Sequence, residues 1–164
     1  MSGDKLERNK ATFRLQQDQV LSKGDLSIET MKRIFAPDFV RHRSGMGHIA
    51  KAAGVIQPPS EMSIYERQQT AFGVMLKTFP HQERVIHHVI GEGDLLAARW
   101  TIRTTWEGPL LGFAPTGQPV EFEEFGVVRF DEHGLMKEGW FILDELGMLE
   151  DLGILKLSAA DQNR

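Results

Sequence analysis

Cysteine is absent from the 164 residues, which excludes a disulfide framework, a thiol nucleophile and a thiolate metal site. A field of one sign is missing too. The 19 basic and 23 acidic residues are mixed along the chain and leave a formal charge of −4, so neither nucleic acid nor an anionic membrane surface is an expected partner. Residues 1–8 lack the apolar core of a signal peptide, and no apolar run is long enough to span a bilayer. The expectation is an unprocessed cytoplasmic protein. There is no Walker loop, no Rossmann glycine pattern, no Gly-x-Ser-x-Gly elbow and no His-Glu-x-x-His helix, which leaves phosphate and dinucleotide chemistry unsupported. No repeat or linker interrupts the chain, and its length suits one domain over residues 1–164.

What is present is a change of texture along the chain, from helical spacing to strand spacing. Leu6, Phe13 and Val20 recur at seven-residue intervals within 5–22, the mark of a helix with a narrow buried stripe, which makes 1–24 an N-terminal helical segment. Beyond Gly24, Asp25 or Ser27 caps a short helix carrying Ile28, Met31 and Phe35 on one face, and Pro37 stops it. Residues 38–43 read as a strand with Val40 and His42 on one face and Phe39, Arg41 and Arg43 on the other. The Gly- and Ala-rich stretch 44–62 is a candidate lid. Ser63 and Glu66 form a capping box for a third helix that carries Tyr65, Phe72, Met75 and Phe79 on one face and ends at Pro80. Four further strands follow, at 82–90, 95–106, 119–130 and 135–144. Short turns join most of them, so antiparallel pairing and an α+β order are expected.

Alternation in the last strand puts Met136, Glu138, Trp140, Ile142 and Asp144 on one face, with Lys137, Gly139, Phe141 and Leu143 opposite. A carboxylate beside Trp140 and Ile142 is desolvated and suited to proton transfer, which makes Asp144 the first catalytic candidate. The same residue precedes an apolar segment running to Leu152, so it is equally placed to cap a terminal helix. In the second long strand Ala98, Trp100, Ile102 and Trp106 share a face, and the two indoles suit either a pocket for a flat ligand or plain core. His42 is the best pocket histidine. His87 and His88 point to opposite faces, which weakens any protein-bound metal site. Glu121 and Glu123 point one way and Glu124 the other. A second carboxylate or an arginine converging on Asp144, from among Glu123, Glu124 and Arg103, would suit an epoxide hydrolase or dehydratase instead.

Three stretches together resemble the SnoaL-like polyketide cyclases of the nuclear transport factor 2-like superfamily. They are Gly91-Glu92-Gly93-Asp94 leading into Leu95–Arg99; Thr105-Trp106-Glu107-Gly108 with Gly112 and Pro115-Thr116-Gly117; and Gly134 to Trp140 with Asp144, Leu152 and Gly153. The resemblance spans most of 25–153. It implies a cone-shaped, curved antiparallel sheet packed against about three N-terminal helices, with a short C-terminal helix. It also implies acid–base catalysis without a cofactor: ring closure of a polyketide ester, a hydrophobic carbonyl compound, by intramolecular aldol condensation. Asp144 matches the family's proton-carrying aspartate, and His42 matches a histidine common at the end of its first strand. Trp100, Trp106, Trp140, Ile142, Phe72 and Glu123 are the expected pocket residues. Where the family reads Gly-Thr-His this chain has Thr104, Thr105 and Trp106, so an indole stands in place of a polar group. A homodimer through the outer face of the sheet is also implied, with Arg99, Arg103 and Glu121 as contacts. The alternative from another class is a non-catalytic module of the same fold that binds a small hydrophobic ligand or a second copy of itself.

Overall fold

The computed structural model of the chain describes residues 2–43 and 61–156. Most of the 44–62 lid candidate therefore lies outside the described residues. Helix α1 (Ser2–Leu15) runs directly into a wider π-helical turn, Gln16–Ser22. Phe13 and Val20 are fully buried, as the seven-residue stripe requires. The i→i+5 bonding of the π turn rotates successive residues less regularly than an α-helix, and the consecutive amides Gln16 and Gln17 are both buried.

Ser27 caps α2 (Ile28–Ile34), its side chain accepting from the Thr30 N–H at 3.2 Å. Strand β1 (Phe35–Arg43) follows at once. Pro37 thus lies inside a strand instead of ending a helix, which is tolerable because β1 is a sheet edge and its register slips between Phe35 and Val40. Helix α3 (Ile64–Thr78) opens with the reciprocal capping box: the Ser63 hydroxyl accepts from the Glu66 N–H at 3.3 Å, and the Ser63 N–H donates to Glu66 Oε2 at 2.8 Å.

The remaining strands are β2 (Glu83–Glu92), β3 (Leu95–Thr105), β4 (Pro119–Phe130) and β5 (Met136–Leu143), followed by the short helix α4 (Glu145–Asp151). The sheet order is β1-β5-β4-β3-β2. β2 to β5 are antiparallel neighbours, closed between β2 and β3 by Gly93 at φ +63° and between β4 and β5 by Gly134 at φ +80°. β1 instead pairs parallel with β5, so the sheet is mixed where a wholly antiparallel one was expected. A parallel pair needs a long crossover, and α3 with three strands supplies it.

Helices α1 to α3 cover the inner face of the curved sheet. Phe13 of α1 meets the Trp100 ring edge-on at 5.5 Å, and Phe35 stacks near Phe72 of α3 at 6.2 Å. Two glycines let a large ring lie flat on the sheet: a Cβ on Gly126 would stand 2.8 Å from Phe141 Cδ1, and one on Gly139 would stand 2.6 Å from Phe141 Cε2. No helix among the described residues is long and apolar enough to cross a membrane.

β5 departs from simple alternation. Met136 pairs with Phe130 and Glu138 with Arg129, leaving Lys137 as an extra residue in a bulge. The faces exchange there. Met136 points into the core, while Glu138, Trp140 and Ile142 face outward and Gly139, Phe141 and Leu143 face inward.

Candidate active site

Under the helices, the inner face of the sheet carries a cavity whose polar wall comes from four strands. On β1 the buried Phe39 fixes the inward side, and alternation brings Arg41 and Arg43 to that side with it. β2 adds Arg84, β3 Trp100 and β4 Glu124. Helical residues Gln16, Gln17, Gln68, Phe72 and Met75 close the opposite wall.

Glu124 is the hub. It is only 5% exposed. Its Oε1 accepts from Arg43 Nη1 and its Oε2 accepts from the Trp100 indole N–H at 3.2 Å, with Arg84 Nη1 3.9 Å from that second oxygen. A carboxylate taken from water is tolerated when donors surround it in this way. Arg84 is itself anchored: Nε and Nη2 donate to Gln82 Oε1 at 3.0 and 2.8 Å, and Nη1 donates to Gln17 Oε1 at 2.7 Å. The π turn is what turns Gln17 toward it.

Arg41 is held differently. Its guanidinium lies 5.4 Å from the centre of the Phe72 ring and 5.9 Å from that of Phe141, a cation between two aromatic faces. Its pKa is lowered to about 10, chiefly by burial and also by neighbouring Arg43, with Glu124 opposing the shift. Burial likewise brings Arg84 down to about 10, with Glu124 opposing and the other two arginines adding to the fall. Both remain cations at neutral pH. The free volume between these groups is about 20 Å³, enough for one water, which needs roughly 10–15 Å³. Any larger guest must displace side chains, and the flexible Met75 is in the wall.

The residues singled out from sequence are divided by the fold. Trp100 and Phe72 line the cavity. Trp106 is buried, yet it serves the β3–β4 connection, where its indole N–H donates to the Gly108 carbonyl at 2.6 Å. Trp140 and Ile142 face outward because of the β5 bulge. His42 stacks on Trp140 with ring centres 5.3 Å apart, and its Nε2 lies 3.0 Å from Glu138 Oε1, so it too is on the outer side. Glu123 pairs with Arg99 there. Asp144 stands at the exposed end of β5, where its Oδ1 accepts from the Gly147 N–H at 3.0 Å as the N-cap of α4. None of these outer residues meets the cavity.

Sequence reasoning passed over Arg41, Arg43 and Arg84, and named Glu124 only as a candidate to converge on Asp144. The signal for three of the four was present: Phe39 marks the inner side of β1, and alternation separates Glu124 from Glu121 and Glu123. His42 lies on the opposite side of β1. Among the described residues no three His, Cys, Asp or Glu side chains gather as a metal site would require.

Comparison with known proteins completes the description. The model of the SnoaL-like polyketide cyclases matches residues 11–152. Among curated proteins there is no match. Of solved structures, a candidate polyketide cyclase from Acidithiobacillus ferrooxidans superposes with a TM-score of 0.72 at 21% identity, covering 91% of this chain and 96% of that one. IdmH from Streptomyces antibioticus, also a candidate polyketide cyclase, gives 0.69 at 28% identity over 88% and 98%. AclR from Streptomyces galilaeus, a candidate hydroxylase, gives 0.70 at 22% over 94% and 90%. The likeness to these structures shows the fold, and function has to be argued from the site.

Proposed function

From the premise that the chain belongs to the SnoaL-like polyketide cyclase family, we propose that it is an acid–base enzyme acting on a hydrophobic carbonyl compound, with Glu124 as the proton carrier. The observation that carries this reading is that Glu124 is the one carboxylate lining the cavity among the described residues, held there by Arg43 and Trp100. In an aldol ring closure Glu124 takes a proton from the carbon next to a carbonyl. The enolate attacks a second carbonyl of the same molecule, and the proton returns to the new alkoxide. Guanidinium groups beside the carboxylate stabilise the negative oxygen as it develops, an effect that is strongest where water is excluded. No cofactor takes part in this scheme, in keeping with what the family resemblance implies.

The role that the resemblance assigns to Asp144 passes to Glu124 in this proposal, and His42 has no part in the chemistry. The test is proton exchange into deuterated water at the methyl carbon of acetophenone, followed by NMR. Glu124→Gln should slow the enzyme-dependent rate by at least about 100-fold, the usual scale of a lost general base. An unchanged rate in a folded Glu124→Gln variant contradicts the proposal, as does a wild-type rate no faster than buffer.

A second reading, a non-catalytic binding module, draws support from the small free volume of about 20 Å³. It predicts ligand-induced stabilisation with no exchange. In either reading the protein is proposed to be a cytoplasmic homodimer joined through the outer face of the sheet. That face exposes Ile90, Phe125, Val127 and Ile142 around an apolar groove of about 360 Å³, a surface suited to burial against a second copy. The Arg99, Arg103 and Glu121 contacts expected from the resemblance are engaged within the chain, Arg99 with Glu123 and Arg103 with Glu121, and would frame the apolar centre as a polar rim.

A further inference from the structure

Among the described residues the cavity is lined by more positive charge than negative. Three guanidiniums, of Arg41, Arg43 and Arg84, line it with one carboxylate, Glu124, which leaves a formal excess of two positive charges. Buried or half-buried charge is normally paired, because removing it from water is costly. Arg43 and Arg84 both approach Glu124, and Arg84 has its amide partners besides. The Arg41 guanidinium makes no hydrogen bond or close ion pair with any described residue; it feels the charge of Glu124 and meets the faces of Phe72 and Phe141. No Asp or Glu occurs in 44–60, the stretch that continues β1. Beside these groups the amide of Gln68, 5% exposed and lining the same cavity, has an Oε1 without a partner among the described residues.

On the reading that this cavity takes a ligand, we propose that Arg41 is a carboxylate-binding residue, and that the substrate is a hydrophobic carboxylic acid, ionised when bound. A guanidinium fork without a hydrogen-bond partner among the described residues matches one carboxylate in two parallel hydrogen bonds. Its aromatic flanks suit an apolar body attached directly to that head group. The Gln68 amide, turned either way, offers a donor or an acceptor to a further polar group of the same molecule. Arg41 is thereby a specificity-determining residue that distinguishes an acid from its ester or amide, separate from Glu124, which handles the proton.

Calorimetric titration of the full chain with phenylacetate, phenylacetamide and inorganic phosphate tests this. Phenylacetate should bind at least about tenfold more tightly than the amide, as expected for a charge-assisted pair, and more tightly than phosphate. Arg41→Met should abolish the preference for the acid. It should also raise the melting temperature of the unliganded protein by about 2–4 °C, because it removes an unbalanced charge held for function. Arg41→Lys, which keeps the charge without the fork, should retain only part of the preference and covers the case in which the methionine variant folds poorly. Equal affinity for acid and amide, an unchanged preference in Arg41→Met, or phosphate binding as tight as phenylacetate would each overturn the proposal. Acetophenone has no carboxylate, so its exchange reports on Glu124 alone. Acid preference without exchange defeats the acid–base reading and leaves this one standing, and exchange without acid preference does the reverse.

Discussion

Two carboxylates of similar chemistry end in opposite circumstances, and the difference is set within a few residues of each. Asp144 sits one residue beyond β5, exposed, with its oxygen on the Gly147 N–H. A Cβ at position 147 would stand 2.6 Å from Asp144 Oδ2, so the absence of a side chain there is part of the cap. Asp144→Ala should therefore cost about 1 kcal/mol of stability, the common worth of an N-cap, seen as a small drop in the denaturant midpoint with the slope unchanged. Glu124 is enclosed, and its partners are indole and guanidinium. Glu124→Gln leaves the buried guanidinium of Arg84 and the half-buried one of Arg43 without their counter-ion, so it should destabilise as well as inactivate. The two substitutions are told apart by activity, since only the second should remove it.

At the scale of elements, what could be read from the sequence and what could not follow from the same rule of periodicity. Capping at Ser63 and Glu66, the turn at Gly93 and the alternation of β3 are local, and each is where the sequence puts it. The bulge at Lys137 and the π turn at Gln16–Ser22 are breaks in period that only packing imposes. The first moves Trp140 and Ile142 to the outer face, and the second brings Gln17 to Arg84. Asp144 looked catalytic because an unbroken alternation placed it beside Trp140, and its second reading as a helix cap is the one its hydrogen bond matches. The arginine cluster was hidden for another reason. It draws on strands distant in sequence, and an inward-facing arginine reads as a surface residue until its partners are known. Close packing over the glycines gives a test at this scale: Gly126→Ala would put a methyl group 2.8 Å from Phe141 and 3.1 Å from Trp100 Cη2. It should destabilise by about 1–3 kcal/mol through overpacking, measured by thermal melting, and disturb the cavity wall even though the position itself is extended backbone.

For the whole molecule, the mixed sheet presents two faces with different tasks. The inner one holds the charged cavity and the outer one an apolar groove rimmed by ion pairs. Ile142 is 60% exposed at that groove, so if the proposed dimer forms there, the wild type should sediment as a dimer and Ile142→Asp as a monomer in analytical ultracentrifugation, without altering the cavity. A variant that sediments as the wild type does would place the contact elsewhere. The central claim concerns the other face: the proposed chemistry runs through Glu124 inside the cavity and not through Asp144, which caps the last helix away from it. The direct measurement is the acetophenone exchange rate of Glu124→Gln and Asp144→Asn side by side with the wild type, each variant shown to be folded. The account predicts a rate reduced about 100-fold or more for Glu124→Gln and within about twofold of wild type for Asp144→Asn, whose amide still caps the helix. The reverse pattern, with exchange lost in Asp144→Asn and kept in Glu124→Gln, would contradict it.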